Sequence, residues 1–310
     1  MTALSPLSTT STTGPASHPV TARPGPSGGP GGRRRRLAGG FPTLVLLVGA
    51  AYCLLPVLWV VTASTKSPAE LFSTFTFAPS THLWDNVVAL TQVRNGIFWR
   101  WMANTALYAV GGGLLSVVVS GMAGYGLAKF TFVGKQMTFN IILAGVLVPG
   151  VVLAIPQYLL LAQVGLTNTY WSVLLPSIIS PYGIYLARIY AAATVPDDVI
   201  EAARTDGAPE WRIFVSIAMP MMLPGLFTVF LFQFVAIWNN FMLPYIMLGD
   251  DSLFPVTVGL SGLLNQGASQ PSMYSLVITG ALLSILPLVA LFLTLQRFWQ
   301  VDLTSGAVKG

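Results

Sequence analysis

The stretch Glu201–Pro220 reads EAARTDGAPEWRIFVSIAMP and concentrates charge in a chain whose charged residues are only 8% of the total, against roughly 25% in an average soluble protein. Asp197, Asp198, Glu201, Asp206 and Glu210 face only Arg204 and Arg212, so the segment is net acidic. The chemistry open to such a set is ion pairing. An interfacial loop resting on lipid headgroups is one use of it. Anionic lipid would repel its net charge, however, and a basic groove on another protein suits it better. Five polar groups elsewhere, Gln157, Gln233, Asn239, Asn240 and Tyr245, stand in otherwise apolar stretches. They are able either to line a path for a polar solute or to hydrogen-bond between helices.

Other chemistries find little support. The chain has one cysteine, Cys53, and two histidines, His18 and His82, far apart, so no metal-ligand cluster is expected. No phosphate-binding loop G-x-x-x-x-G-K-[ST] occurs, since Lys129 stands where Gly134-Lys135 requires a glycine. No basic face with interleaved aromatics suggests nucleic acid.

The local pattern around the acids predicts two short helices and a turn over 194–220. Thr194 and Pro196 start the first, with Asp197 and Asp198 in its first turn, where carboxylates complement the helix terminus. Val195, Val199, Ala202 and Ala203 are expected on one face, and Asp197, Glu201 and Arg204 on another. Gly207 suits a left-handed terminator. Pro209 then opens a second helix, Trp211, Phe214, Val215 and Ala218 form its apolar stripe, and Pro220 is expected to separate it from the next element. Helices this short need packing partners.

Those partners are membrane helices. Hydrophobic residues make up 54% of the 310 positions, and several charge-free windows exceed the ~20 residues that cross a bilayer. The expected fold is an all-α membrane protein with six transmembrane helices near 41–63, 103–128, 137–160, 170–192, 221–247 and 273–296, and a cytoplasmic helix-turn-helix loop. Residues 1–40 are expected to be a disordered tail with a basic anchor at Arg33–Arg36, and 41–310 the membrane domain. With the N-terminus inside, twelve Lys and Arg fall in cytoplasmic segments and three, Lys66, Arg94 and Arg100, outside. Residues 64–102 are then an outer segment, either a cover on the membrane surface or a docking surface for an external protein. Gly112, Ser116, Ser120, Gly124 and Ala128 form a small-residue stripe that predicts close helix packing. Pro149, Pro156, Pro176 and Pro181 predict kinks in the third and fourth spans.

The spacing of the charged segment carries a family resemblance: Glu201-Ala202-Ala203, three residues, Gly207, nine residues, Ile217, one residue, Met219-Pro220. This resembles the EAA motif of ABC importer permeases, with Met219 in place of the usual leucine. The C-terminal Thr304-Ser305-Gly306-Ala307-Val308-Lys309-Gly310, Trp238-Asn239-Asn240-Phe241 and Asn104-Thr105 are similar to the carbohydrate-uptake type, particularly the smaller permease subunit of the maltose importer. The long N-terminal tail departs from the pattern. The resemblance implies the type I fold of these permeases in a bacterial cell membrane, with both termini cytoplasmic. It implies a second permease subunit as heterodimer partner, two ATP-binding-cassette ATPase subunits and an extracytoplasmic solute-binding protein. Glu201, Ala202, Ala203, Arg204, Asp206, Gly207, Ile217 and Pro220 would couple to the ATPase, and Gly306 and Lys309 would contact it. The chain itself would be no enzyme and bind no cofactor, ATP and Mg staying on the ATPase subunits. The solute is expected to be a mono- or oligosaccharide, with another solute as the alternative. A secondary transporter working without an ATPase is the more distant one, since no Asp, Glu, His or Lys lies within the spans.

Overall fold

The computed structural model describes residues 32–306, and the side chains of residues 42–294. Among the described residues every regular element is helical. The chain divides into one unit ending at Leu54 and another from Leu55. The described part of the first is the beginning of α1 (Gly32–Ser64). Residues 32–40, expected in the tail, are therefore helical, and the arginines that fill the start of that stretch are good helix formers. Residues 1–31 of the expected tail lie outside the described residues.

The second unit continues with α2 (Leu83–Gln92), α3 (Ile97–Lys129), α4 (Lys135–Val146), α5 (Gly150–Gln163), α6 (Tyr170–Ile178) and α7 (Pro181–Thr194). There follow α8 (Asp197–Thr205), α9 (Glu210–Trp238), α10 (Val256–Gln266) and α11 (Ser272–Gly306). Among the described residues, five helical stretches are long and apolar enough to cross a membrane: Pro42–Ser64, α3, α6 with α7, α9 and Ser272–Thr294. The pair α4 and α5 makes a sixth if it is one span.

Several expected boundaries move, and proline explains most of the shifts. The third span is not one rod over 137–160: α4 and α5 meet at 106°. Pro149 stands at the break (φ −60°, ψ 125°), where it gives no N–H to the turn before it and disfavours helical backbone in Val148. Pro156, by contrast, stays inside α5. The fourth span breaks between α6 and α7 at Ile179–Ser180. There the Ser180 hydroxyl accepts the Gly183 N–H at 3.1 Å and caps the new helix. The second span starts at Ile97 rather than 103 and contains a π-turn at Leu107–Gly111.

The fifth span differs most. Instead of 221–247 it runs from Glu210 to Trp238, followed by a short helix at Met242–Met247. Pro220 thus separates nothing. A π-turn at Phe214–Ala218 directly precedes it, and such widened turns help re-satisfy the carbonyl a proline leaves. The second short helix of the charged segment is therefore the first turns of a membrane helix.

The small-residue stripe packs α3 against α7. A Cβ on Gly124 would lie 2.6 Å from both the Ala187 Cβ and the Arg188 backbone nitrogen, and one on Gly183 would lie 2.7 Å from the Ser120 hydroxyl. Backbones this close exchange many dispersion contacts, which is what holds helices together where lipid offers no hydrophobic drive.

A polar clamp at the N-terminal end of α3 was not foreseen. Trp101 donates its indole N–H to the Asp251 carbonyl at 2.8 Å, Asn104 its amide to Ser252 and Phe254 at 2.8 and 3.1 Å, and Tyr108 its hydroxyl to Leu253 at 2.9 Å. Thr105 accepts the Val256 N–H at 2.7 Å, and Arg94 pairs with Asp251. The polar positions 101, 104, 105 and 108 fall on one helix face, the signal that would have revealed the clamp. Residues 64–96 form an ordered layer nearby, in which the fully buried Lys66 (1% exposed) donates to the carbonyls of Phe75 and Thr76 at 2.6 and 3.3 Å. Asn86 holds the carbonyls of Ser64 and Lys66 at 2.9 and 2.8 Å. Trp84, Phe72 and Phe75 remain exposed on this layer.

Candidate functional site

Helix α8 begins after Pro196, with Asp197 and Asp198 in its first turn; Thr194, expected to start it, instead ends α7. Its end is closed by hydrogen bonds from Gly207 N–H to the Arg204 carbonyl and from Ala208 N–H to the Ala203 carbonyl, each 3.0 Å. This pair of bonds is the Schellman arrangement, and it needs a left-handed residue at Gly207, found at φ +78°. The turn then delivers the chain into α9 at Glu210.

Three contacts weld this short helix to the membrane helices. Ile200 (2% exposed), Ala203 and Val195 join Ile213, Phe214, Ala218, Met222, Tyr125 and Ala191 in one apolar cluster drawn from α3, α7, α8 and α9. Lys129, the last residue of α3, donates to the Asp197 carboxylate at 2.7 Å. Across the turn, the Arg204 Nε donates to Glu210 Oε1 at 2.6 Å. That carboxylate raises the Arg204 pKa above its already high ordinary value, so the guanidinium stays charged. Between exposed groups the pair contributes little stability, and it bridges the turn from α8 to α9.

The buried face of α8 differs from expectation. Val195, Ile200 and Ala203 are buried, whereas Val199 and Ala202 are exposed. On α9, Trp211 and Val215 are exposed while Ile213, Phe214 and Ala218 are buried. The π-turn accounts for this second difference, because it spaces the buried Ile213 and Ala218 five positions apart rather than four. Glu201, Arg204, Asp206 and Pro220 lie at the surface and Ile217 is half-buried. Glu201, Val199 and Ala202 are thus all left exposed on α8. Gly306 is the last described position of α11, and Lys309 lies outside the described residues.

A Cβ on Gly207 would meet nothing within 4 Å, so a substitution there is opposed by backbone conformation alone. Gly207→Val is expected to leave insertion intact while costing the turn about 1–2 kcal/mol. On the function that the family resemblance implies, the measurement is uptake per ATP hydrolysed, which should fall; an unchanged ratio would show that the turn geometry carries no function.

The expected path residues divide. Gln157, Gln233 and Asn240 come together on a cleft of about 400 Å³ whose walls include Pro176, Ile179, Pro181 and Met242. Asn239 and Tyr245 do not line it: Asn239 donates to the Val235 carbonyl of its own helix at 2.9 Å, and Tyr245 stacks on Phe241. At the break between α6 and α7, Pro181 has no N–H to give the Ser177 carbonyl one turn back. Gln233 fills that vacancy, donating its side-chain N–H to Ser177 at 2.7 Å. A polar group inside the bundle is thereby satisfied, and an irregular backbone is stabilised where it faces a cleft.

Residues 116–300 match the family described as binding-protein-dependent transport system inner membrane component. The chain is 33% identical over 273 residues to the arabinooligosaccharides transport system permease protein AraQ of Halalkalibacterium halodurans, covering 86% of this chain and 96% of that protein. It is 32% identical over 279 residues to the lactose transport system permease protein LacG of Rhizobium radiobacter, covering 89% and 98% respectively. Its fold is similar to a chain in the crystal structure of a bacterial ABC transporter that imports the acidic polysaccharide alginate, with a TM-score of 0.73, 22% identity and coverage of 86% and 97%.

Proposed function

The chain belongs to the family of binding-protein-dependent transport system inner membrane components, a multi-pass membrane subunit of transport and not an enzyme, and from that premise we propose that it forms half of a carbohydrate-import pathway driven by separate ATPase subunits. The observation that carries the coupling half of this proposal is the weld of α8 to three membrane helices. A push on α8 reaches α3 through Lys129 and Asp197, and α7 and α9 through the shared apolar cluster.

In this proposal α8 seats in a basic groove of an ATP-binding-cassette ATPase, with Glu201 meeting a cation there. Two such ATPases carry ATP and Mg, and this chain binds neither. The C-terminal residues around Gly306 and Lys309 touch the same ATPases, and both termini lie in the cytoplasm. A second, non-identical permease subunit closes the other side of the pathway, and an extracytoplasmic binding protein delivers the solute. Carbohydrate is supported by the names of the similar permeases, which handle arabinooligosaccharides and lactose. A permease similar at 28% identity handles sn-glycerol 3-phosphate in Escherichia coli, which makes another solute the competing possibility.

The test is reconstitution of the permease pair, ATPases and binding protein in proteoliposomes with a labelled panel of neutral and acidic oligosaccharides and sn-glycerol 3-phosphate. Uptake of an oligosaccharide that requires both ATP and the binding protein is expected. Uptake by the chain without ATPase would overturn the coupling proposal, and uptake of the phosphate ester alone would overturn the carbohydrate one.

A further inference from the structure

Helix α7 carries Tyr182, Tyr185 and Arg188 at successive three-residue steps, which keeps them along one side of the helix. That side is turned away from α3, since Gly183 and Ala187 are the positions buried against it. Rings from two further helices extend the row. The Tyr185 ring lies 6.4 Å from Tyr182 and 6.3 Å from Phe139 of α4, with planes only 28° and 23° apart. Tyr182 meets Phe232 of α9 edge-on at 5.6 Å. At the far end the Arg188 guanidinium carbon sits 3.6 Å from the centre of the Phe139 ring.

The row begins beside the cleft. Pro181, adjacent to Tyr182, lines the cleft of about 400 Å³, and Phe139, Tyr185 and Arg188 line a second, open recess of about 460 Å³. From Pro181 to Arg188 the helix advances ~10 Å toward the end that carries α8. Among the described residues, Arg188 has no carboxylate within ion-pair distance. A guanidinium over a ring face still has N–H groups that can donate to a further partner.

We propose that Tyr182, Tyr185 and Phe139 form an inner track on which the sugar units leaving the cleft stack, with Arg188 donating hydrogen bonds to their hydroxyls at its end. A sugar ring has a face of C–H bonds and a rim of hydroxyl groups. It lies flat on an aromatic ring and leaves its rim to donors at the edge, and this row offers both in one line. Tyrosine and arginine near a helix end also suit a membrane–water interface; lipid would then cover the row, an outcome the cysteine measurement below reads directly. The proposal rests on the carbohydrate assignment above, which its test keeps separate.

The assembled transporter is used with whichever oligosaccharide of the panel it imports. Tyr182→Leu and Tyr185→Leu remove the flat ring and keep apolar bulk. Each is expected to lower uptake about 2- to 10-fold, the factor matching the contribution of one aromatic contact. ATP hydrolysis stimulated by the loaded binding protein should be retained, and Tyr185→Phe, which keeps the ring, should import normally. Normal uptake in both leucine variants overturns the track and leaves the carbohydrate assignment standing. A wild-type transporter that imports only a non-carbohydrate overturns both.

A second measurement does not depend on the leucine variants assembling. In a Cys53→Ser background, where the chain's one cysteine is gone, Tyr185→Cys should react with a water-soluble methanethiosulfonate, and the imported sugar should slow the reaction. A thiol that never reacts would mean that lipid or another subunit covers the row, and a thiol that reacts at the same rate with and without sugar would mean that sugar does not pass it. Either result refutes the track.

Discussion

Gly124→Leu should abolish recovery of folded permease, while Gly126→Leu, two positions on, should not. A side chain at 124 would start 2.6 Å from the backbone nitrogen of Arg188 and from the Ala187 Cβ, neither of which can rotate away. Relief requires α3 and α7 to separate where Ser120 and Gly124 meet Gly183 and Ala187. Overpacking a core typically costs about 1–3 kcal/mol when side chains can adjust, and a clash with backbone sits at or beyond the upper end. At Gly126 nothing lies within 4 Å, so the same leucine points into open space. Expression as a fluorescent fusion followed by size-exclusion chromatography in detergent reads both variants. A sharp, monodisperse peak from Gly124→Leu would mean that the α3–α7 contact does not hold the bundle together.

Glu201→Lys is expected to leave that peak unchanged and to remove the ATPase from the complex. Glu201 is exposed and makes no packing contact within the chain's apolar cluster. Its reversal places a cation three residues from Arg204, a like-charge pair worth only ~0.2–0.5 kcal/mol on a helix surface. Against a basic groove the same reversal exchanges attraction for repulsion at close range, and removing or opposing one partner of a desolvated charge pair costs ~2–5 kcal/mol in binding. That corresponds to a loss of roughly 30- to several-thousand-fold in affinity. Co-purification of the ATPase with a tagged permease, together with uptake in proteoliposomes, measures it. Full recovery of ATPase and uptake would show that α8 is not what the ATPase grips.

The two variants probe features of very different visibility in the sequence. The acid segment was evident because its signals are local: charge against an apolar background, Gly207 at a helix end, Pro209 at a helix start, and the EAA spacing. The stripe from Gly112 to Ala128 was evident for the same reason, although its partner was not, and the structure supplies α7. Pro220 misled, because a proline read in isolation ends a helix, whereas the π-turn at Phe214–Ala218 just before it lets α9 run through. The buried faces of α8 and α9 were misjudged in the same region, since a regular 3.6-residue period does not describe a helix that contains such a turn.

The path residues show the limit most clearly. Gln157, Gln233, Asn239, Asn240 and Tyr245 are equivalent as polar residues in apolar stretches, and three of them line the cleft. What sorts them is the break at Pro181, which orphans the Ser177 carbonyl and draws Gln233 across from another helix. The clamp from Trp101, Asn104, Thr105 and Tyr108 onto residues 251–256 is likewise a pairing of segments some 150 positions apart.

Membrane class, the approximate span positions and the charged helix-and-turn segment therefore follow from the order of residues alone, because crossing a bilayer and turning a helix are questions each short stretch answers against its own solvent. The 106° bend between α4 and α5, the fusion of the charged segment with α9, the membership of the cleft and the aromatic row beside it belong to the folded chain. Each of these depends on which distant group satisfies a freed carbonyl or fits against a glycine, and that is settled only when the helices meet.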